Sequence, residues 1–195
     1  MEKSYLYGSK FVSEEKEPLE YEAVKLLREK KLKIATAESC TAGYVAKRIT
    51  NVSGSSEVFD CGIVSYSNEI KQKLLSVSGE MLSRYGAVSA VVAAQMAKGV
   101  LEISGSDIAV SVTGIAGPGS DMTKKPVGLV YVALCDRQSR VWVREMNFSA
   151  PDGDEREYNR YCSASCALEL VSQYLRAYPD VTGAEDYDAY IEKYF

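Results

Sequence analysis

Apolar residues recur along this chain with two different periods. Over residues 17–31, Leu19, Ala23, Val24, Leu26 and Leu27 fall together on a helix. A second helical spacing runs over 41–51, with Val45, Ala46 and Ile49 on one face. A stronger one covers 89–104, through Val92, Met96, Val100 and Ile103, and a long helix is predicted over 154–178. Between them, short apolar runs predict strands at 33–36, at 58–66 as a buried strand containing Phe59, Ile63 and Val64, and at 107–113. Asn68 is placed to cap a short helix through Leu75. Strands at 127–134 and 141–148 are joined by the polar turn Asp136-Arg137-Gln138-Ser139, a link short enough to require an antiparallel hairpin. The order predicts an α/β sandwich around a mixed, mostly parallel sheet of about five strands.

The chain divides into an N-terminal arm or linker (1–16), a core domain (17–178) and an acidic, tyrosine-rich tail (179–195). The only apolar piece of the arm is Tyr5-Leu6-Tyr7-Gly8. No internal repeat or low-complexity tract interrupts this division. The stripe Tyr187, Ile191 and Tyr194 and the pair Cys162 and Cys166 read as packing.

Composition narrows the chemistry. With 195 residues, 46% hydrophobic and 26% charged, the chain is an ordinary globular domain with extensions. No apolar run approaches the ~20 residues of a membrane span, and the first residues show no secretory signal. Five cysteines without CxxC spacing read as reduced thiols, so a cytoplasmic protein is expected. There is no histidine, which excludes a Ser-His-Asp triad, a Cys-His pair and a His-ligated metal. A general base must then be Lys, Asp, Glu, Tyr or Cys. The net charge of −4 is carried by the ends, leaving 21–178 at about +2. With no basic stripe, nucleic acid is not an expected partner, while a small anionic ligand suits the body.

Four segments could carry chemistry. In Thr36-Ala37-Glu38-Ser39-Cys40-Thr41-Ala42-Gly43 a strand gives way to a helix, so Ser39 stands among helix-end N–H groups that could hold an oxyanion. The alternative is that Ser39 and Thr41 are helix caps. In Tyr66-Ser67-Asn68-Glu69-Ile70-Lys71, a lysine falls in a first helical turn, where the dipole opposes its charge. If Lys71 is also buried it becomes a neutral base for the serine, with Tyr66 relaying or orienting the proton; otherwise it is a surface lysine. The glycine-rich loop Thr113-Gly114-Ile115-Ala116-Gly117-Pro118-Gly119 leaves a strand end, where α/β proteins bind ligands, or is simply a turn. Arg156 and Arg160 share a helix face and could clamp a phosphate or carboxylate, or pair with neighbouring glutamates.

Taken in order, these segments resemble the CinA C-terminal domain family, from about residue 18 to 176. The resemblance rests on Ala37-Glu38-Ser39-Cys40-Thr41, Val52-Ser53-Gly54-Ser55-Ser56, Tyr66-Ser67-Asn68-Glu69-Ile70-Lys71, Tyr85-Gly86-Ala87-Val88-Ser89, Val112-Thr113-Gly114-Ile115-Ala116-Gly117-Pro118 and Lys125-Pro126-Val127-Gly128. It implies a three-layer α/β/α sandwich and a serine–lysine amidase that converts nicotinamide mononucleotide and water to nicotinic acid mononucleotide and ammonia. The catalytic residues would be Ser39, Lys71 and Tyr66, with amides around 39–43 holding the oxyanion. Substrate would be bound by Thr41, Gly43, Gly114, Ala116, Gly117, Arg156 and Arg160. No metal or cofactor is implied; the partner is a small nucleotide, with no membrane, and a homo-oligomer is left open.

Three departures from the family pattern stand out. The family's Glu-Ser-Cys-Thr-Gly-Gly carries Ala42 at its first glycine, which strains the loop if that position needs positive φ. Its Gly-Asp-Arg segment is interrupted by Glu155, leaving Arg156 and Arg160 as alternatives for the clamp. Tyr85 stands where many relatives have histidine. Full-length members also carry an N-terminal molybdopterin-binding-like domain with no counterpart in this sequence, and the arm resembles the linker after it. The rival expectations are a non-catalytic adaptor linked to competence or DNA damage, and a hydrolase of another small amide.

Overall fold

A computed structural model describes residues 18–119, 124–150 and 154–195. The predicted arm and Gly153 lie outside them. The short run Ile34–Glu38 becomes strand β1 and is buried along its whole length. It runs parallel to β2 (Phe59–Val64) on one side and to β3 (Ile108–Gly114) on the other. From β3 the sheet continues antiparallel through β4 (Leu129–Asp136), β5 (Arg140–Asn147) and the two-residue β6 (Glu185–Asp186). Among the described residues this is a six-stranded mixed sheet of order β2-β1-β3-β4-β5-β6. Strands β1, β2, β3 and β5 point one way.

Helices cover both faces, giving the three layers. On one face, α1 (Leu19–Lys30), α2 (Tyr44–Thr50) and α6 (Glu155–Ala177) bury Leu27, Ile49 and Leu168 against Val110 and Val132. On the other, α3 (Asn68–Leu75), α4 (Gly79–Tyr85), α5 (Ala90–Ser104) and α7 (Tyr187–Glu192) bury Leu75, Met81, Met96 and Tyr190 against Ala35 and Ala109. A fully buried ion pair, Arg48 to Glu20 at 2.6 Å, ties α2 to α1.

Three details differ from the sequence expectation. The run 58–66 is not a buried strand: β2 lies at the sheet edge, so its side chains alternate between half-buried and exposed. Ser67, not Asn68, caps α3, its hydroxyl accepting from the Ile70 amide at 3.2 Å. The short helix α4 was not anticipated. The stripe Tyr187, Ile191 and Tyr194 packs against the second core as expected, while β6 pairs with Arg140 and Val141 and Asp186 caps α7.

Because β1 and β3 are parallel neighbours in register, Glu38 opposite Val112, their carboxyl ends open at the same place. Ser39 leaves one and the glycine-rich loop the other. This is where an open α/β sheet forms a ligand crevice.

Candidate active site

Ser39 is held at the end of β1 by its own amide, which donates to Val112 O at 2.9 Å. The chain then turns sharply through two residues of positive φ, Ala42 (50°) and Gly43 (90°). Ala42 therefore occupies the left-handed region, at a cost of about 1–2 kcal/mol for a residue with a β-carbon. The turn delays α2 until Tyr44, and the N–H groups at its start are already used. The buried Glu38 carboxylate accepts from Val45 N at 3.1 Å and Ala46 N at 2.9 Å. Ser39 thus does not sit on the open end of a helix. The amides of Ser39, Ala42 and Tyr44 are also committed, to Val112 O, Ser39 O and Thr41 O. Within 39–43, the amides of Cys40, Thr41 and Gly43 have no backbone acceptor among the described residues, and those of Cys40 and Thr41 face the Cys40 sulfur.

Lys71 approaches from the opposite face. It sits one turn before Leu75 on α3, and the packing of that helix face carries it inside: its side chain is 1% exposed. Its ammonium nitrogen donates to Ser39 Oγ at 3.0 Å and to Ser65 O at 2.6 Å. Burial lowers the Lys71 pKa from 10.5 to about 8. The pair is a hydroxyl in direct contact with an amine that releases its proton near neutrality. Cys40, the competing nucleophile by sequence, is buried in the core, and desolvation pushes its thiol up to about 12.

A cleft of about 400 Å³ opens over this pair. Gly114, Ala116, Gly117 and Arg156 line it with Ser39, Tyr66 and Lys71. Arg156 spans its mouth, donating to Gly117 O at 2.9 Å and to Tyr66 Oη at 3.1 Å. Tyr66 is 61% exposed and makes no hydrogen bond to Ser39 or Lys71 among the described residues. It is therefore placed to orient Arg156, and the lysine needs no relay to reach the serine.

Three expected ligand residues fall elsewhere. Arg160, one turn further along α6, points behind the Ser39 turn; it donates to Thr41 O at 2.9 Å and stacks over the Tyr44 ring. With Gly43 it lines an adjacent hollow of about 280 Å³ rather than the cleft. Thr41 is fully buried beneath the turn.

Several residues that complete the site were given no catalytic or binding role from sequence. Glu38 is one, and a carboxylate just ahead of a helix was the signal for it. Asn68 lines the cleft at the start of α3. Asn159, 1% exposed, donates to Ala116 O at 3.1 Å and so holds the glycine-rich loop on α6. The cleft wall Gly86-Ala87-Val88 is pinned by Lys125, which donates to Tyr85 O at 2.6 Å and Val88 O at 2.5 Å. Thr113 adds a bond to Ala87 O at 2.8 Å. No group of metal-binding side chains occurs among the described residues.

A sequence model of the CinA C-terminal domain matches residues 16–175. The chain belongs to the CinA C-terminal domain family. It is 45% identical over 170 residues to a CinA-like protein of Desulfovibrio desulfuricans, covering 86% of this chain and 39% of that protein. A CinA-like protein of Geobacter sulfurreducens is 45% identical over 168 residues, covering 86% of this chain and 40% of that one. The chain thus spans about two fifths of the length of these curated relatives. Among solved structures, the competence/damage inducible protein CihA from Agrobacterium tumefaciens superposes with a TM-score of 0.76 at 39% identity, over 85% of this chain and 99% of that one. A CinA superfamily protein from Escherichia coli gives 0.74 at 29% identity, over 89% and 99%. The family's α/β fold is the one described above. Among the described residues no helix is long and apolar enough to cross a membrane.

Proposed function

We propose that the Ser39 cleft hydrolyses the carboxamide of a pyridine mononucleotide, nicotinamide mononucleotide, to the carboxylate and ammonia. The observation that carries this reading is the 3.0 Å contact between Ser39 Oγ and the buried Lys71 Nζ. An adaptor without catalysis has no use for a lysine desolvated against a serine.

In the reaction, neutral Lys71 takes the Ser39 proton as Oγ attacks the carboxamide carbon. Amides on the cleft wall stabilise the oxyanion: Ala116 and Gly117 in the loop, which have no backbone acceptor among the described residues, and Cys40 beside the nucleophile, which faces only its own thiol. The tetrahedral intermediate collapses, the C–N bond breaks, and protonated Lys71 gives its proton to the departing ammonia. Water then adds to the Ser39 ester with Lys71 again as base, releasing the carboxylate. Arg156 at the cleft mouth supplies the positive charge for the 5′-phosphate, at a distance from the reacting amide. Cytoplasmic location and a small-molecule rather than nucleic-acid partner belong to the same proposal.

The test is ammonia release from nicotinamide mononucleotide by the purified chain. Turnover that Ser39→Ala abolishes supports the reading; no turnover, or turnover that survives Ser39→Ala, contradicts it.

A further inference from the structure

The C-terminal segment does more than extend the sheet by two residues. After β6, the Tyr187 amide donates to Ser139 O at 2.7 Å, and Tyr190 is buried in the second core. The chain then runs to the end of α4. Tyr85 Oη donates to Tyr194 O at 2.8 Å, and Arg84 Nη1 donates to the same oxygen at 3.2 Å. The Tyr85 and Tyr194 rings meet edge to face, 5.3 Å apart at 90°.

Tyr85 therefore faces two ways. Its side chain is held by the tail, and its carbonyl accepts from Lys125 on the cleft side. The next three residues, Gly86, Ala87 and Val88, are the cleft wall. Gly86 joins that wall to α4 at φ +76°, a conformation in which glycine bends freely. Lys125 and Thr113 fasten the wall from inside. Tyr194 holds its helix end from outside.

We propose that residues 185–195 form an intramolecular brace that fixes the Tyr85–Val88 wall and thereby sets how tightly the Ser39 cleft binds its substrate, with Tyr85 and Tyr194 as positioning residues. The brace lies beyond residues 16–175, the part matched to the family. Its effect on substrate rests on the amidase reading; its effect on the wall does not.

The experiment uses full-length Tyr85→Phe and Tyr194→Ala, measured in two ways. With nicotinamide mononucleotide, KM should rise about 3- to 10-fold, the scale of the hydrogen bond that Tyr85→Phe removes or of the ring contact that Tyr194→Ala removes, with kcat within twofold and an unchanged pH profile. By hydrogen exchange, the amides of residues 86–89 should exchange several-fold faster while those of β1 and β3 do not. Wild-type KM and wild-type exchange in both variants, or a fall in kcat at constant KM, would overturn the brace. If the wild type does not hydrolyse the nucleotide at all, the amidase reading fails and the exchange comparison alone decides the brace. If Tyr194→Ala does not fold, Tyr85→Phe, which removes one oxygen, decides it.

Discussion

Gly99 and Leu75 meet backbone to backbone: a β-carbon added to Gly99 would stand 2.1 Å from Leu75 O. Leu75 ends α3, one turn beyond Lys71, so this contact sets how deeply the lysine-bearing helix sinks against α5. Gly99→Ala gains helix propensity of about 1 kcal/mol but must push α3 outward. The expected net result is destabilisation of about 1–3 kcal/mol, as in other overpacked contacts. Lys71 would withdraw from Ser39 and regain solvent. Activity should fall at least tenfold, with the rising limb of its pH profile moved from about 8 towards 10.5. Denaturant melts together with a pH–rate profile check this; a stable variant with unchanged rates would show that α3 depth does not matter.

The lowered Lys71 pKa predicts two pH effects of the same sign. With the neutral amine as the proposed base, kcat/KM should rise through about pH 8 and level off above it. Between about 8 and 10.5 the unfolded chain still binds a proton that the folded chain has released, so stability from this group increases with pH across that window. Below it both states hold the proton, and the cost of burying the charge is felt in full. Denaturation of wild type and Lys71→Met at several pH values isolates the effect. The wild type should gain on the variant as pH rises, whereas a constant difference would mean a solvated lysine.

How much of this was legible in the sequence depended on the range of the interaction. The helices α1, α2, α5 and α6 and the hairpin announce themselves because each buries a face with its own period or is joined by a short polar turn. Strand β2 shows the limit. Its apolar residues look like a buried run, but its place at the sheet edge follows from pairing order, which no local pattern records. The tail's tyrosine stripe reads as packing from its spacing, but which elements it packs on, α4 and β5, follows only from the fold. At the site, Ser39, Lys71 and Arg156 are recognisable as residue types near strand and helix ends. That Glu38 would occupy the start of α2, or that Arg160 would turn behind the cleft, required the three-dimensional turn at Ala42 and Gly43.

The two arginines should separate cleanly. Arg156→Ala should cost about 1.5–3 kcal/mol in kcat/KM with the mononucleotide, the worth of a charge-assisted hydrogen bond, and almost nothing with phosphate-free nicotinamide riboside. Arg160→Ala, which loses its bond to Thr41 O, should affect both substrates equally. Parallel kinetics on the two substrates distinguish these patterns, and equal losses for Arg156→Ala would remove it from phosphate recognition.

Ala42 carries a strain that glycine would relieve. With φ at 50°, Ala42→Gly should raise stability by up to about 1 kcal/mol, the left-handed penalty less the entropy of an added glycine. Thermal unfolding reads the change directly; a destabilised variant would mean that the exposed methyl group is held by contacts that outweigh the backbone cost.

If Ser39, activated by Lys71, is the nucleophile, the substrate acyl group passes through a covalent ester on Ser39. Rapid quenching of the enzyme with nicotinamide mononucleotide, followed by fragmentation mass spectrometry of the peptide spanning Ser39 and Cys40, tests it most directly. A nicotinoyl mononucleotide ester is expected on Ser39, present in Cys40→Ala and absent in Ser39→Ala. An adduct on Cys40, or turnover that persists in Ser39→Ala without any adduct, would contradict it.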